Sequence, residues 1–395
     1  MSRVFVTGIG IVTPLGFSLT DNHQALREGR SGLSKLEHFS SRYASILPFG
    51  EVKISNEELK EKLKVTDSGV TRTTLLALHA FADAVADSEM NNDELRSFET
   101  ALINGNTVGG MCLTDELYQD ANHREVGSEY LNSYDLGSVN LYLAQRYGIK
   151  GVVNTFNTAC SSSANAIMYG ARLLKNGFAK RAIVGGADSL AKFTINGFNS
   201  LNILSSAPCR PFDVNRSGLN LGEGAAFLVL EAEEDAKGKR VYGEVSGWAN
   251  TNDAFHPSSL SDEGEGPYLA MKQALHIAGL QPAQIGYINT HGTATENNDE
   301  KESIAMKRLF DIVPAFSSTK SNIGHTLGAA GAVEAVFCLL NLTYQEVYKG
   351  LGFNHPIPDT GLVPVQDYRK VNLGHVMSNS FGFGGNCSSL VFSKA

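Results

Sequence analysis

The residues that could do chemistry fall in four short stretches. The first is Asn157-Thr158-Ala159-Cys160-Ser161-Ser162-Ser163. An apolar strand runs into a small-residue turn and then a helix, so Cys160 stands at a helix N-terminus. Free backbone N–H groups and the helix dipole there lower a thiol pKa and favour a nucleophilic thiolate. The plainer alternative is a small buried cysteine in a strand–helix corner, beside serines suited to capping. The second is Asn289-Thr290-His291-Gly292-Thr293-Ala294-Thr295. A histidine after a strand, followed by glycine and hydroxyl residues, suits a ligand-binding loop, although a structural histidine fits as well. The third runs from Lys320 to Gly331, where Lys320 and His325 flank a turn before a small-residue helix built for close packing. The fourth is Asn379-Ser380-Phe381-Gly382-Phe383-Gly384-Gly385-Asn386-Cys387. Glycines at that density expose backbone N–H groups for an oxyanion or a phosphate. It is not a GxGxxG fingerprint, which disfavours dinucleotide binding.

These stretches need a frame. Apolar spacing predicts strands over Val4–Thr7, Ala101–Asn104, Val152–Thr155, Arg181–Gly185, Ala226–Glu231 and Tyr242–Ala249. Further strands are predicted over Ile285–Asn289, Ala315–Ser317, Val376–Asn379 and Ser389–Phe392. Helices are predicted over Thr20–Glu28, Val70–Asp87, Ser163–Asn176, Gly266–Ala278, Asp299–Phe310 and Ala329–Asn341. The alternation predicts an α/β protein of layered sheets and helices. The polar stretch Glu231–Arg240 suggests a boundary between two similar halves, residues 1–235 and 236–395. Residues 113–135 are polar and irregular and read as a surface excursion.

Composition narrows the class. With 395 residues, 42% hydrophobic and 19% charged, a large core is available and wholesale disorder is excluded. The 40 glycines follow no period, which excludes a collagen-like chain. A net charge of -8 disfavours a general nucleic-acid or anionic-membrane surface but allows a local basic patch for an acidic partner. Cysteines at 112, 160, 209, 338 and 387 are odd in number, irregularly spaced and form no CxxC pair, which points to a reducing compartment rather than a disulfide scaffold. No apolar run is expected to reach the ~18 residues of a membrane helix. The N-terminal apolar block is broken by Gly8, Gly10 and Pro14, so it reads as a strand and turn rather than a signal peptide. A soluble, cytoplasmic protein is expected.

In order along the chain, TACSSS, NTHGTAT, STKSNIGHTLGAAGAVEA and NSFGFGG resemble the motifs of the β-ketoacyl-acyl carrier protein synthases, especially the elongating type. The resemblance runs nearly end to end. It implies a thiolase-like fold, five-layered and made of two pseudo-symmetric halves, usually as a homodimer. It implies that Cys160 is the acyl-accepting nucleophile, that His291 and His325 are the catalytic histidines, and that Lys320 orders them with Glu334 as its partner. Phe383 would be a mobile gate whose N–H forms an oxyanion hole with that of Cys160. Thr293 and Thr295 would meet the pantetheine arm, Phe381 would touch substrate, and Val108 would form the floor of the acyl pocket. Partners would be acyl carrier protein and its acyl and malonyl forms. No metal or redox cofactor is implied, since the phosphopantetheine arrives on the carrier. Candidate carrier-docking residues are Arg210, Lys62, Lys64, Arg72 and Arg124.

The chain departs from the family's pattern at residues 130–137, which lack proline, at Gly69–Thr74, and at Glu296-Asn297-Asn298-Asp299, where Pro-Ala-Gly-Asp is common. These regions shape the acyl pocket and dimer contact, and they leave a specialised polyketide or aryl-polyene pathway open. Three alternatives fit less well. An inactive chain-length factor generally lacks the cysteine. A thiolase places a second reactive cysteine before the glycine loop, whereas Cys387 follows it. An initiating synthase has asparagine where His325 stands.

Overall fold

The computed structural model describes residues 3–123 and 134–395. Ten strands form its main sheet: β1 (Val4–Val12), β2 (Thr100–Gly105), β3 (Val153–Phe156), β4 (Arg181–Asp188), β5 (Gly224–Ala232), β6 (Gly243–Asn252), β7 (Ile285–Asn289), β8 (Ala315–Ser317), β9 (His375–Gly382) and β10 (Asn386–Ser393). Each strand predicted from sequence overlaps one of them. Their order is β8-β7-β9-β10-β6-β1-β5-β4-β2-β3.

That order is a repeat. Outward from the join, the first half runs β1-β5-β4-β2-β3 and the second runs β6-β10-β9-β7-β8, so each strand of one half matches the strand five later. Pairing directions match as well. The inner pairs β1–β5, β5–β4, β6–β10 and β10–β9 are antiparallel, and the outer pairs β4–β2, β2–β3, β9–β7 and β7–β8 are parallel. Within the sheet, and among the described residues, the strands of the two halves pair at Phe5↔Glu244 and Val6↔Gly243.

Four helices complete the layers, numbered here among themselves: α1 (Arg72–Asp87), α2 (Ser162–Lys175), α3 (Glu265–Ala278) and α4 (Ala330–Tyr344). α1 covers the outer face of the first half and α3 that of the second, while α2 and α4 pack on each other between them. The result is five layers. Strands covered on both faces become continuously apolar, and all nine residues of β1 are buried. The same burial explains α4. Leu327–Tyr344 has a mean hydropathy of 1.5 over 18 residues and is 89% buried. The expectation that no stretch is long and apolar enough to cross a membrane is therefore corrected: among the described residues one such stretch exists, and it lies in the middle layer.

The expected excursion at 113–135 contains a helix, Thr114–His123, and residues 124–133 lie outside the described part. Helices at Asn56–Leu63, Ser138–Tyr147 and Lys192–Ser200 were not predicted.

The middle helices touch at their N-termini. A Cβ on Gly331 would stand 2.6 Å from the Ala164 nitrogen and 2.8 Å from its Cβ. The Ala332 N–H donates to Ser163 Oγ at 2.9 Å across the same contact. Gly331→Val should overpack this crossing and lower stability by about 1–3 kcal/mol. Thermal unfolding checks this, and an unchanged melting temperature would show that the crossing has slack.

Candidate active site

Cys160 follows β3 through a tight turn. Ala159 takes a left-handed backbone at φ 52°, which is uncommon for a residue with a Cβ. The turn is held by Thr158 N–H to Ser162 Oγ at 2.9 Å and by Asn165 Nδ2 to Thr158 Oγ1 at 2.8 Å. The Gly382 backbone lies against it, and a Cβ there would stand 2.8 Å from the Thr158 oxygen. The thiol is buried, and burial pushes its pKa up to about 11. The Lys320 charge and the N–H groups of Phe383 and of Cys160 itself pull the other way. The expected lowering at a helix N-terminus is thus overruled, because desolvating the thiolate outweighs these groups.

His291 follows β7. Its loop has no room for a side chain at Gly292, where a Cβ would meet Ser318 Cβ at 2.6 Å. Two carboxylates on the next helix, Glu296–Leu309, pin the loop. Glu302 accepts the N–H groups of His291 and Gly292, both at 2.9 Å, and Asn379 Nδ2 at 3.2 Å. Asp299 accepts the N–H of Ala294 at 3.1 Å and of Phe212 at 2.7 Å. Burial raises both carboxyl pKa values, that of Glu302 to about 7. Glu302 stands in none of the four motif stretches. Its signal was the i, i+3 spacing from Asp299, which puts both carboxylates on the helix face next to the loop.

Lys320 Nζ lies 2.5 Å from Glu334 Oε1 and 3.4 Å from His291 Nδ1. An ammonium only donates, so Nδ1 of His291 is the acceptor and its proton sits on Nε2. His325 reaches the same state differently. The Leu327 N–H donates to its Nδ1 at 3.1 Å, which leaves Nε2–H buried and without a hydrogen-bond partner among the described residues. The rings are 5.4 Å apart and nearly perpendicular, at 84°. Burial, followed by the Lys320 charge, holds both pKa values well below the usual histidine range, so both rings are neutral. Burial also raises the Glu334 carboxyl to about 7 against the pull of Lys320.

The Cys160 sulfur and one ring nitrogen from each histidine lie within 4.8 Å of one another. Three such atoms could hold a metal ion. Here both Nε2 atoms carry protons and an ammonium stands beside His291, which suits developing negative charge better than a cation. The three residues open into a cavity of about 460 Å³, also lined by Thr293, Thr295, Phe381, Phe383 and Phe198. Thr293 and Thr295 bond to each other through their hydroxyls at 2.9 Å. The Phe381 ring is 5.8 Å from that of His291. Phe383 is 37% exposed and stacks on Phe198 of the unpredicted helix Lys192–Ser200, 5.9 Å between centroids.

Other expected residues lie elsewhere. Val108 is buried and does not line the cavity; it packs with Leu190, Ile195, Leu219 and Leu327. Arg72 is corrected outright as a docking residue, because it is buried and its guanidinium donates to Glu223, Val52 O and Ile54 O. Arg210, Lys62 and Lys64 are exposed but do not line the cavity, and Lys62 lies over the Phe17 ring. Arg124 falls outside the described residues.

Residues 1–236 match the family model "Beta-ketoacyl synthase, N-terminal domain" and residues 242–354 match "Beta-ketoacyl synthase, C-terminal domain". The 3-oxoacyl-[acyl-carrier-protein] synthase 2 of Synechocystis is 33% identical, covering 99% of this chain and 98% of that protein. The mitochondrial 3-oxoacyl-[acyl-carrier-protein] synthase of Arabidopsis thaliana is 32% identical, covering 99% and 93%. Among solved structures, the ishigamide ketosynthase/chain length factor superposes with a TM-score of 0.93 at 27% identity, covering 100% of this chain and 99% of that one.

A thiol with pKa about 11 has a testable reactivity. Below that pKa the thiolate fraction rises about tenfold per pH unit. Alkylation of Cys160 by iodoacetamide, followed by peptide mass, should therefore accelerate steadily from pH 7 to 10. Lys320→Met removes a charge that favours the thiolate and should slow the reaction at any fixed pH. A plateau below pH 8 would contradict this account.

Proposed function

This chain belongs to the β-ketoacyl synthase family, and from that premise we propose how its residues divide the work. It is a 3-oxoacyl-[acyl-carrier-protein] synthase, an acyltransferase that condenses carrier-bound thioesters. Cys160 takes the acyl group from the carrier. Its sulfur attacks the thioester carbonyl, the carbon–sulfur bond to the carrier breaks, and the leaving carrier sulfur takes up the thiol proton. The oxyanion formed on the way is held by the N–H groups of Cys160 and Phe383, which already act on the sulfur.

Malonyl carrier enters next. Its terminal carbon–carbon bond breaks, carbon dioxide leaves, and the electron pair becomes an enolate with charge on the thioester oxygen. Nε2–H of His291 and of His325 donate to that oxygen. Donors of this kind are each worth roughly 3–4 kcal/mol in a water-poor site. The enolate carbon attacks the acyl group on Cys160, the thioester bond breaks, and the cysteine sulfur regains a proton from solvent. The product is a β-ketoacyl carrier. The observation that carries this reading is the free Nε2–H of His325 beside a second neutral donor and a buried cysteine. Every step uses side chains and backbone alone, so we propose that no metal or redox cofactor takes part.

Thr293 and Thr295, at the cavity wall, are proposed to meet the pantetheine arm, and Phe381 the substrate. Phe383 is proposed as the gate, Lys320 and Glu334 as the pair that sets His291, and Arg210 as the basic contact for an acidic carrier. The acyl chain belongs to fatty acid synthesis or to a specialised polyketide or aryl-polyene route. We propose a cytoplasmic homodimer, and residues 1–235 and 236–395 as its two domains.

His291→Ala and His325→Ala should each slow malonyl decarboxylation at least about a hundredfold and spare Cys160 acylation, measured as separate half-reactions. Equal losses in both would point to a structural role. Val108 shares an apolar cluster with Phe198, Leu219 and Ile203, which do line the cavity. Val108→Phe should therefore cost more turnover with long acyl primers than with short ones. Comparable losses would remove Val108 from the acyl path.

A further inference from the structure

Asp188 ends β4 and takes no part in the steps above. Its carboxylate is buried, and no charged group bonds to it among the described residues. It accepts Thr107 N–H at 2.9 Å, Thr107 Oγ1–H at 2.7 Å and Val108 N–H at 2.8 Å, all from the turn after β2. Oδ2, the oxygen that takes the Thr107 hydroxyl, also accepts Gly328 N–H at 2.7 Å, from the opposite half of the molecule. The fit is tight: a Cβ on Gly328 would stand 2.8 Å from Asp188 Oδ2 and 3.1 Å from the Asn106 carbonyl carbon.

Gly328 follows Leu327, and Leu327 has φ 54°, a left-handed backbone that a leucine adopts only when its surroundings hold it there. The N–H of that strained residue is the donor to His325 Nδ1. On the far side, His325 is anchored by its own backbone, donating to Asn220 O at 2.7 Å and accepting from Gly222 N–H at 2.9 Å. The Asp188–Gly328 bond therefore closes the turn. Without it, Leu327 can relax toward a right-handed backbone and turn its N–H away. Nδ1 then loses its donor and nothing selects the Nε2–H tautomer.

We propose that Asp188 is a positioning residue that fixes the tautomer of His325 by holding Gly328 from across the interface of the two halves. The inference rests on the reading of His325 as an enolate donor, and it makes Asp188 specific to decarboxylation rather than to acyl transfer. The test uses the full chain labelled with ¹⁵N-histidine, the His325 signal being assigned by its loss in His325→Gln. Wild type should show a protonated Nε2 and a bare Nδ1 at His325. Asp188→Asn keeps the size but opposes an amide to the N–H groups, and should add a population with Nδ1 protonated. In the same variant malonyl decarboxylation should fall by about tenfold or more, while Cys160 acylation stays within about threefold. If Asp188→Asn does not fold, Asp188→Glu keeps the charge, displaces it by one methylene, and should show the same split at smaller amplitude. An unchanged His325 tautomer in a folded variant overturns the inference, as does equal loss in both half-reactions. Failure of the functional reading would look different: wild type itself would not decarboxylate malonyl carrier, whatever tautomer it shows.

Discussion

Two helices that meet backbone to backbone set everything else. Because position 331 is a glycine, α4 reaches the start of α2, and the end of each half's sheet is drawn to one point. Cys160 precedes α2, and His325 and Lys320 precede α4. Neither half could assemble the site alone, since the nucleophile's turn belongs to one and both histidines to the other. A larger residue at the crossing would separate the thiol from its partners before it disturbed either sheet. Side chains there are Ala164, Ser163 and Ala332, small enough that the helices are spaced by backbone contact.

The side chains gathered at this crossing are buried, and burial dominates their electrostatics. It raises the thiol of Cys160 and the carboxyls of Glu302, Glu334 and Asp188, and it lowers both histidines. All move toward the neutral form, as expected where charge is poorly solvated. A neutral imidazole is still a strong donor, and it does not repel the ammonium of Lys320 next to it. In such a medium a new negative charge on substrate is held by N–H groups already in place, with little reorganisation.

The sheet was legible because its strands carry their burial in their composition. VFVTGIGIV, ALIN and AAFLVL are covered on both faces and read as continuous apolar runs, so even three-residue Ala315–Ser317 was found. The two-half reading rests on the polar stretch Glu231–Arg240, and the strand order shows the repeat. Lys192–Ser200 was missed because KFTINGFNS mixes β-branched residues, glycine and asparagine, all weak helix formers; contact with its surroundings holds it. Cys160, His291 and His325 were found as motifs. Arg72 misled because an arginine near a helix start looks like surface charge, and only the fold reveals Glu223 beneath it. The thiol's acidity also escaped, since a helix start is visible in sequence and the depth of its burial is not. Glu302 and Asp188 act mainly through backbone N–H groups, and such partners leave no trace in residue type.

Strain gathers where these loops bear on chemistry. Ala159 precedes Cys160, Ala294 follows His291 by three, and Leu327 follows His325 by two; all are left-handed. Each such backbone costs of order 1–3 kcal/mol unless its neighbours over-determine it. Here the neighbours are identifiable. Ser162 and Asn165 close the first turn, Asp299 holds the N–H of Ala294, and Asp188 holds the residue after Leu327. The strain turns N–H groups and ring nitrogens inward, against the preference of the chain to satisfy them locally. Among the described residues, the Nε2–H of His325 ends with no partner. A buried donor left bare costs about 1–3 kcal/mol. That cost is recovered only when an acceptor appears at the same point, so in the proposed reaction the folded protein holds its unmet hydrogen bond where charge would develop.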